Sequence, residues 1–454
     1  MRKSNFHFLD IERGDPPLIP MDERRGSFKE IHSEYQQDKA AVQAERCLDC
    51  GIPYCEWACP VHNYIPNWLE LVAKGQIFRA AELCHETNSL PEVCGRICPH
   101  DRLCEGACTL NDGFGAVTIG SVEKHITDTA FALGWRPDLS KVKPTGKKVA
   151  IIGAGPAGLA CADIMLRGGV KATVFDKYPE IGGLLNFGIP PFKLDKQVLD
   201  LRRKIFEEMG AEFRMNTTIG KDIMMEELLA EYDALFLGMG TYKYVDGALP
   251  GMDLNNVYMA LPFLIGNINK VRGYDEGTEF INMENKRVIV LGGGDTAMDC
   301  NRTSIRQGAR SVICCYRRNE SDMAGSLKEV KNAREEGVIF RFNLQPTEIL
   351  ESAGGISVKF QYTGEEKQGK DSEEQIIEAD AVILAFGFRP NPPEWLKEHK
   401  ISIHEDGRVK VNDSHQTDNP KIFAAGDMVR GADLVVTAIA DAREAGQQMI
   451  NYIK

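Results

Sequence analysis

A strand–glycine turn–helix unit that occurs twice after residue 145, and nine cysteines crowded into the first 108 residues, predict a multidomain chain. The order is an N-terminal α-helical, cysteine-rich domain followed by two α/β Rossmann-like dinucleotide-binding domains. At 454 residues the chain is too long for one core, and about two to three domains is the natural prior.

Each element has a local reason. Residues 1 to about 140 carry short amphipathic stretches, such as Asn67–Ala73 and Ile77–His85, without strand alternation and punctuated by Pro66, Pro91 and Pro99. Pro137, Pro144 and Gly146 then supply linker chemistry. From Lys147 the pattern becomes apolar strand, glycine turn and small-residue helix start, the mark of α/β layers. Lys147–Gly158 reads KKVAIIGAGPAG and Lys286–Ala297 reads KRVIVLGGGDTA, a weak internal repeat that implies two dinucleotide domains. Asp380–Phe388 and Lys421–Asp427 are further apolar strands running into glycine turns, Val435–Tyr452 is a terminal helix, and Gly364–Glu374 reads as a polar loop or hairpin. The expected bounds are 1–140 for the helical domain, 145–280 for the first part of the first dinucleotide domain, 281–395 for the second, and 396–454 for the return to the first.

Composition excludes some classes. Apolar content of 43% and charged content of 26% are ordinary for a soluble globular protein. A net charge of −12 argues against nucleic-acid binding and against an anionic membrane surface. Met1–Asp10 carries no apolar signal core, and no later stretch approaches the ~20 apolar residues of a membrane span. The expectation is therefore a cytoplasmic protein, whose thirteen cysteines stay out of disulfides.

Gly153, Gly155 and Gly158 follow the strand Val149–Ile152, and with Pro156 and Ala157 they open a helix. Such glycines permit a tight turn and backbone approach to a pyrophosphate, and the helix N-terminus supplies donors. Asp176 ends the next strand, where an acid accepts bonds from ribose hydroxyls. Gly183-Leu184, in a second glycine turn, and the distant Gly426-Asp427, with Thr437 and Ala438 at the last helix start, point to FAD in this first site. In the second turn Gly292, Gly294, Asp295, Thr296 and Ala297 replace the last glycine by alanine, a common variant. Its second strand, Ser311–Cys315, is followed by Tyr316, Arg317 and Arg318 instead of an acid. Guanidinium groups bind a 2′-phosphate that a carboxylate would repel, so NADPH is the expected nucleotide. Hydride exchange between two such cofactors needs orientation, so no proton-transfer catalyst is nominated.

Cys47, Cys50, Cys55 and Cys59-Pro60 have the spacing C-x2-C-x4-C-x3-C-P, close to a ferredoxin-type [4Fe–4S] run. Cys94, Cys98, Cys104 and Cys108 form a second run. In two-cluster ferredoxins the fourth cysteine serves the other cluster, so Cys47, Cys50 and Cys55 group together while Cys59 joins ligands from the second run. Zinc sites pair short Cys hairpins with a separate second pair, which this crowding disfavours. Cys84, Cys161, Cys300, Cys314 and Cys315 read as core.

Taken together, Cys47–Pro60 (CLDCGIPYCEWACP), Cys94–Cys108 (CGRICPHDRLCEGAC), Gly153–Gly158, Gly292–Asp299 (GGGDTAMD) and Ala424–Thr437 (AAGDMVRGADLVVT) resemble the small (β) subunits of bacterial NADPH-dependent glutamate synthases. Dihydropyrimidine dehydrogenase and related transhydrogenases share the architecture, and an NADPH–FAD–iron–sulfur subunit of that kind is the alternative. The resemblance implies an electron-input oxidoreductase. It would take hydride from NADPH onto FAD and feed two [4Fe–4S] clusters and a separate large (α) subunit, which carries FMN, glutaminase activity and glutamate formation. In that wider family a side-chain oxygen from an Ile-Gly-x-x-Gln motif ligates one cluster; Ile119–Glu123 (IGSVE) stands there, making Glu123 an alternative ligand to Cys94.

Overall fold

The computed structural model describes residues 5–245, 247–274, 278–364 and 374–454. The loop expected over Gly364–Glu374 lies almost wholly outside the described residues, which stop at 364 and resume at 374.

The N-terminal region is helical, with segments Gln37–Glu45, Ile65–Ala73, Ile77–Thr87, Pro91–Ile97 and Ile119–Ala132. Ile65, Trp68, Leu69 and Val72 recur at helical spacing, so one face of Ile65–Ala73 is buried, and Pro66 sits in the first turn, where its missing N–H costs nothing. That face packs with Ala80, Ala81, Cys84, Val122 and Ile126 in one core.

Two parallel five-stranded sheets follow. The first has the order β15 (Ile422–Ala424), β4 (Ala234–Leu237), β1 (Lys148–Ile152), β2 (Lys171–Phe175), β3 (Glu212–Arg214). Its central strands are apolar runs because helices cover both faces. The helices Pro156–Arg167 and Val435–Ile453 pack on one another over it, through Cys161, Met165, Ala442 and Met449. The last strand, β15, pairs with β4 from far along the chain.

The second sheet has the order β6 (Val257–Met259), β13 (Ala381–Leu384), β7 (Arg287–Leu291), β8 (Ser311–Cys315), β9 (Ile339–Arg341). Strand β6 and the helix Ala260–Arg272 join this unit upstream of residue 281, where its start was expected. A half-exposed three-residue strand offers no apolar run to read. An antiparallel sheet of β10 (Leu344–Ser352), β11 (Gly355–Tyr362) and β12 (Glu374–Ala379) is inserted before β13. A short antiparallel ribbon, β5 (Lys243–Tyr244) with β14 (Phe388–Arg389), forms where the chain crosses between the two large sheets.

The helical domain is docked on the first sheet's domain by buried ionic contacts. Arg202 donates to both oxygens of Glu92 at 2.6 and 2.7 Å, and Arg443 donates to Ser89 and Asp163. Breaking such a pair leaves an unpaired buried charge, at a cost of about 3–5 kcal/mol. No helix among the described residues is long and apolar enough to cross a membrane.

Candidate functional site

The two glycine turns share one construction. Gly153 (φ 105°) and Gly292 (φ 145°) adopt a conformation that favours glycine, and each presses on a strand-end carbonyl, Gly238 and Ala385 respectively. A side chain on Gly158 would run into the Gly153 carbonyl, so this glycine allows close helix–strand contact. At the corresponding position Ala297 is fully buried. The middle glycines differ. Gly155 and Gly294 cap the helices Pro156–Arg167 and Asp295–Arg306 with extended backbone, and a Cβ on either would meet nothing within 4 Å. Nothing in the chain's own packing demands glycine there. The open space fits a pyrophosphate that must approach the backbone at a helix N-terminus.

Around the first turn other predicted residues converge. Gly183 (φ 53°) faces the Gly155 Cα, and Gly426 (φ 72°) faces Ala157 and Ala438. Asp176 is nearly buried; its Oδ2 accepts from Ala154 N at 2.6 Å and its Oδ1 from Tyr178 N at 3.0 Å, so it pins the turn. Burial pushes its carboxyl up, against those two backbone donors. Burial likewise pushes Asp427 up to about 7. Thr437 donates to Leu434 O and starts the helix Val435–Ile453, while Leu184 opens the short helix after Gly183. Thr241 was not singled out from the sequence, yet its hydroxyl faces Asp427 Oδ2 at 3.4 Å. The signal was present: Gly238-Met239-Gly240 ends the apolar strand β4 as a third glycine turn.

At the second turn Asp295 Oδ1 accepts from Ser326 N, and Thr296 stands partly open beside it. The Tyr316 ring packs beneath Gly293, and its hydroxyl donates to Asp322 O. Arg318 donates to the Tyr316 hydroxyl at 3.1 Å and lies 5.6 Å from the ring centroid, while Arg317 is exposed.

The cysteines gather in two places. Cys47, Cys50, Cys55 and Cys108 line one cavity whose remaining wall is mostly apolar, including Leu48, Pro53, Leu69 and Ile119. Three of the four come from the first run and one from the second. Cys59 packs against the core that holds Cys94, as Cys98 does, and also against the core that holds Cys47 and Cys104. Burial, then Glu105, Cys59, Glu123 and Cys55, push the Cys104 thiol up. Burial pushes the Cys55 and Cys59 thiols up to about 12, so binding metal there must release protons. Among the described residues no group of three or more His, Cys, Asp or Glu side chains could hold a single metal ion. Four thiols around an apolar cavity fit an inorganic cluster that is ligated at its corners. Glu123 is buried beside the second group, and its Oε1 accepts from Asn63 at 3.2 Å and Asn88 at 3.4 Å. Burial pushes it up to about 8 despite those two donors. The two asparagines were not foreseen, because nothing local marks them. Cys84, Cys161, Cys300, Cys314 and Cys315 are all buried.

Residues 147–442 match the pyridine nucleotide-disulphide oxidoreductase family, and residues 24–135 match dihydropyrimidine dehydrogenase domain II, 4Fe-4S cluster. The fold and the paired turns thus define a pyridine-nucleotide oxidoreductase preceded by an iron–sulfur domain. The chain is 59% identical to the glutamate synthase [NADPH] small chain of Halomonas elongata, covering 99% of this chain and 98% of that one. It is 56% identical to the Escherichia coli K12 protein of the same name, with both chains fully covered. The chain belongs to the glutamate synthase [NADPH] small chain family. Mycobacterium tuberculosis FprA in complex with NADPH shares the α/β fold at 17% identity and TM-score 0.57, over 68% of this chain and 85% of that one.

Proposed function

We propose that the chain is the electron-input subunit of a glutamate synthase, working in the cytoplasm with a large subunit that carries FMN and glutaminase activity. That subunit would make L-glutamate from L-glutamine and 2-oxoglutarate. The cofactors, once bound, would accept hydride from NADPH on FAD and release electrons singly through two [4Fe–4S] clusters.

The observation that carries this reading is the pairing, in one chain, of a four-thiol cavity with two glycine turns whose middle glycines face open space. Gly153–Gly158, Asp176, Gly183, Leu184, Gly426, Asp427, Thr437 and Ala438 would hold FAD. Gly292–Ala297, Arg317 and Arg318 would hold NADPH. Cys47, Cys50, Cys55 and Cys108 would ligate one cluster, and Cys59, Cys94, Cys98 and Cys104 the other, with Glu123 the alternative to Cys94. The residues bind and orient; none is asked to move a proton.

An anaerobic NADPH titration followed by absorbance and EPR tests the reading. Flavin bleaching followed by cluster signals is the supporting result, together with co-purification of a large FMN-containing chain. Stoichiometric zinc without iron, or flavin that NADPH leaves oxidised, would overturn it.

A further inference from the structure

The second large sheet belongs to a body that the chain enters through β5 and leaves through β14, and those strands pair over only two residues each, Lys243–Tyr244 and Phe388–Arg389. Short crossings of this kind are where hinges sit when one domain turns on another. An apolar contact of Phe187 with Leu261 and Ile265 and the Arg272–Asp200 pair oppose such a turn on one side, and a cluster of charges opposes it on another. The second domain contributes Arg302 and Arg306 against Asp299, Glu329, Glu335 and Glu336. Lys331 of the same domain also stands 3.9 Å from Glu335, and two further cations reach these carboxylates from elsewhere in the chain.

Lys193, from the first domain, places Nζ 2.8 Å from Asp299 and 3.6 Å from Glu329. Arg24 comes from the helix Met21–Gly26 near the N-terminus; it is 3% exposed and reaches Glu335 at 3.1 Å and Glu336 at 3.3 Å. The helix hangs on a hairpin closed by Ile19 N to Ile31 O and Ser33 N to Pro17 O. The hairpin is tied in turn to the first domain, because Ile31 N donates to Phe192 O, and the Phe192 ring lies 3.8 Å from the Arg306 guanidinium. Glu336 keeps Arg302 and Arg306 without any help from Arg24. The second domain's own fold therefore does not need Arg24, which is left to bridge the hairpin to that domain.

We propose that the N-terminal hairpin, residues 17–33, is a clamp that fixes the second dinucleotide domain in one orientation about the β5–β14 ribbon. Arg24 is the positioning residue and Lys193 its companion. On the reading above, which this inference adopts, the clamp keeps the NADPH turn aligned with the FAD turn. Hydride transfer depends steeply on such alignment, since a misplacement of about 1 Å costs on the order of a hundredfold.

The test uses the full-length protein with its cofactors, oxidised, and spin labels on unnatural residues at the exposed positions Lys204 and Glu351, one in each domain and both away from the charge cluster. Pulsed dipolar EPR should give one narrow distance for the unaltered clamp and a broadened or second distance for Arg24→Met, with Arg24→Lys largely restoring the first. Single-turnover flavin reduction at saturating NADPH should fall about tenfold or more in Arg24→Met, while NADP+ affinity stays within about twofold. Lys193→Met is the second variant, with the same distance readout should Arg24→Met not fold. An unchanged narrow distance in either folded variant overturns the clamp, whatever the activity. Distances that broaden in a protein whose flavin NADPH never reduces uphold the clamp and sink the functional reading instead.

Discussion

Gly426 and Ala157 meet where the end of β15 touches the start of the helix after the first glycine turn: a Cβ at 426 would lie 2.9 Å from the Ala157 Cβ. Gly426 also has φ 72° and ψ −154°, a region open essentially to glycine alone that costs other residues about 1–3 kcal/mol. Gly426→Val adds a clash to that strain and pushes apart two walls of the proposed FAD site. The expected outcome is protein purified with little flavin and a lower Tm. Flavin absorbance per chain measures it, and full flavin content would contradict the assignment of this corner to FAD.

Arg317 and Arg318 follow β8 without an acidic neighbour at the strand end, and Arg318 is steadied by Tyr316. Hydrogen bonds to a charged group are worth about 1.5–3 kcal/mol, so Arg317→Ala should raise KM for NADPH roughly tenfold to a hundredfold. KM for NADH should hardly move. Steady-state dye reduction with both nucleotides decides it, and equal changes for both would remove the 2′-phosphate from the argument.

Cys108 lines the cavity of Cys47, Cys50 and Cys55 although it belongs to the other run. Cys108→Ser should therefore lose about half the iron and sulfide and leave the EPR signal of the second cluster. Cys94→Ser and Glu123→Ala separate the two candidates for the last ligand of that second cluster, Ala rather than Gln because a glutamine oxygen could itself ligate. The variant that loses cluster signal marks the ligand, and the other should retain it.

Glu336 is buried among three guanidinium groups; burial opposes its charge, but Arg306 and Arg302 outweigh it and hold the carboxyl down at about 2. A carboxylate pKa lowered by folding stabilises the native state above its ordinary value of about 4.5. That contribution shrinks as pH falls from there toward about 2, because the unfolded chain takes up the proton first. Thermal unfolding between pH 6 and pH 3 should show stability falling, and Arg306→Met should flatten that slope. A slope unchanged by the substitution would point to other carboxylates.

Much of this architecture was legible because Rossmann units announce themselves locally. The runs KVAII and RVIVL are apolar because each strand is covered on both faces, and the glycines after them are fixed by contacts within a few residues or one strand away. The crowded cysteines were equally plain. What the sequence concealed depends on distance along the chain. Strand β6 is too short and too exposed to carry a pattern, and Asn63 and Asn88 become neighbours of Glu123 only after the helices pack. Arg24 and Glu336 are separated by 312 residues, and an arginine in an N-terminal helix looks like any solvated charge until its partner is in view.

The ribbon of β5 and β14 brings the entry and exit of the second α/β body side by side, so residues between Tyr244 and Phe388 form a cassette inserted into another fold. Such a cassette can be exchanged between related chains without cutting the first sheet, whose strand β15 follows the second crossing. A successful graft must still bring carboxylates to greet Arg24 and Lys193, because the host supplies those two cations whether or not the newcomer can neutralise them.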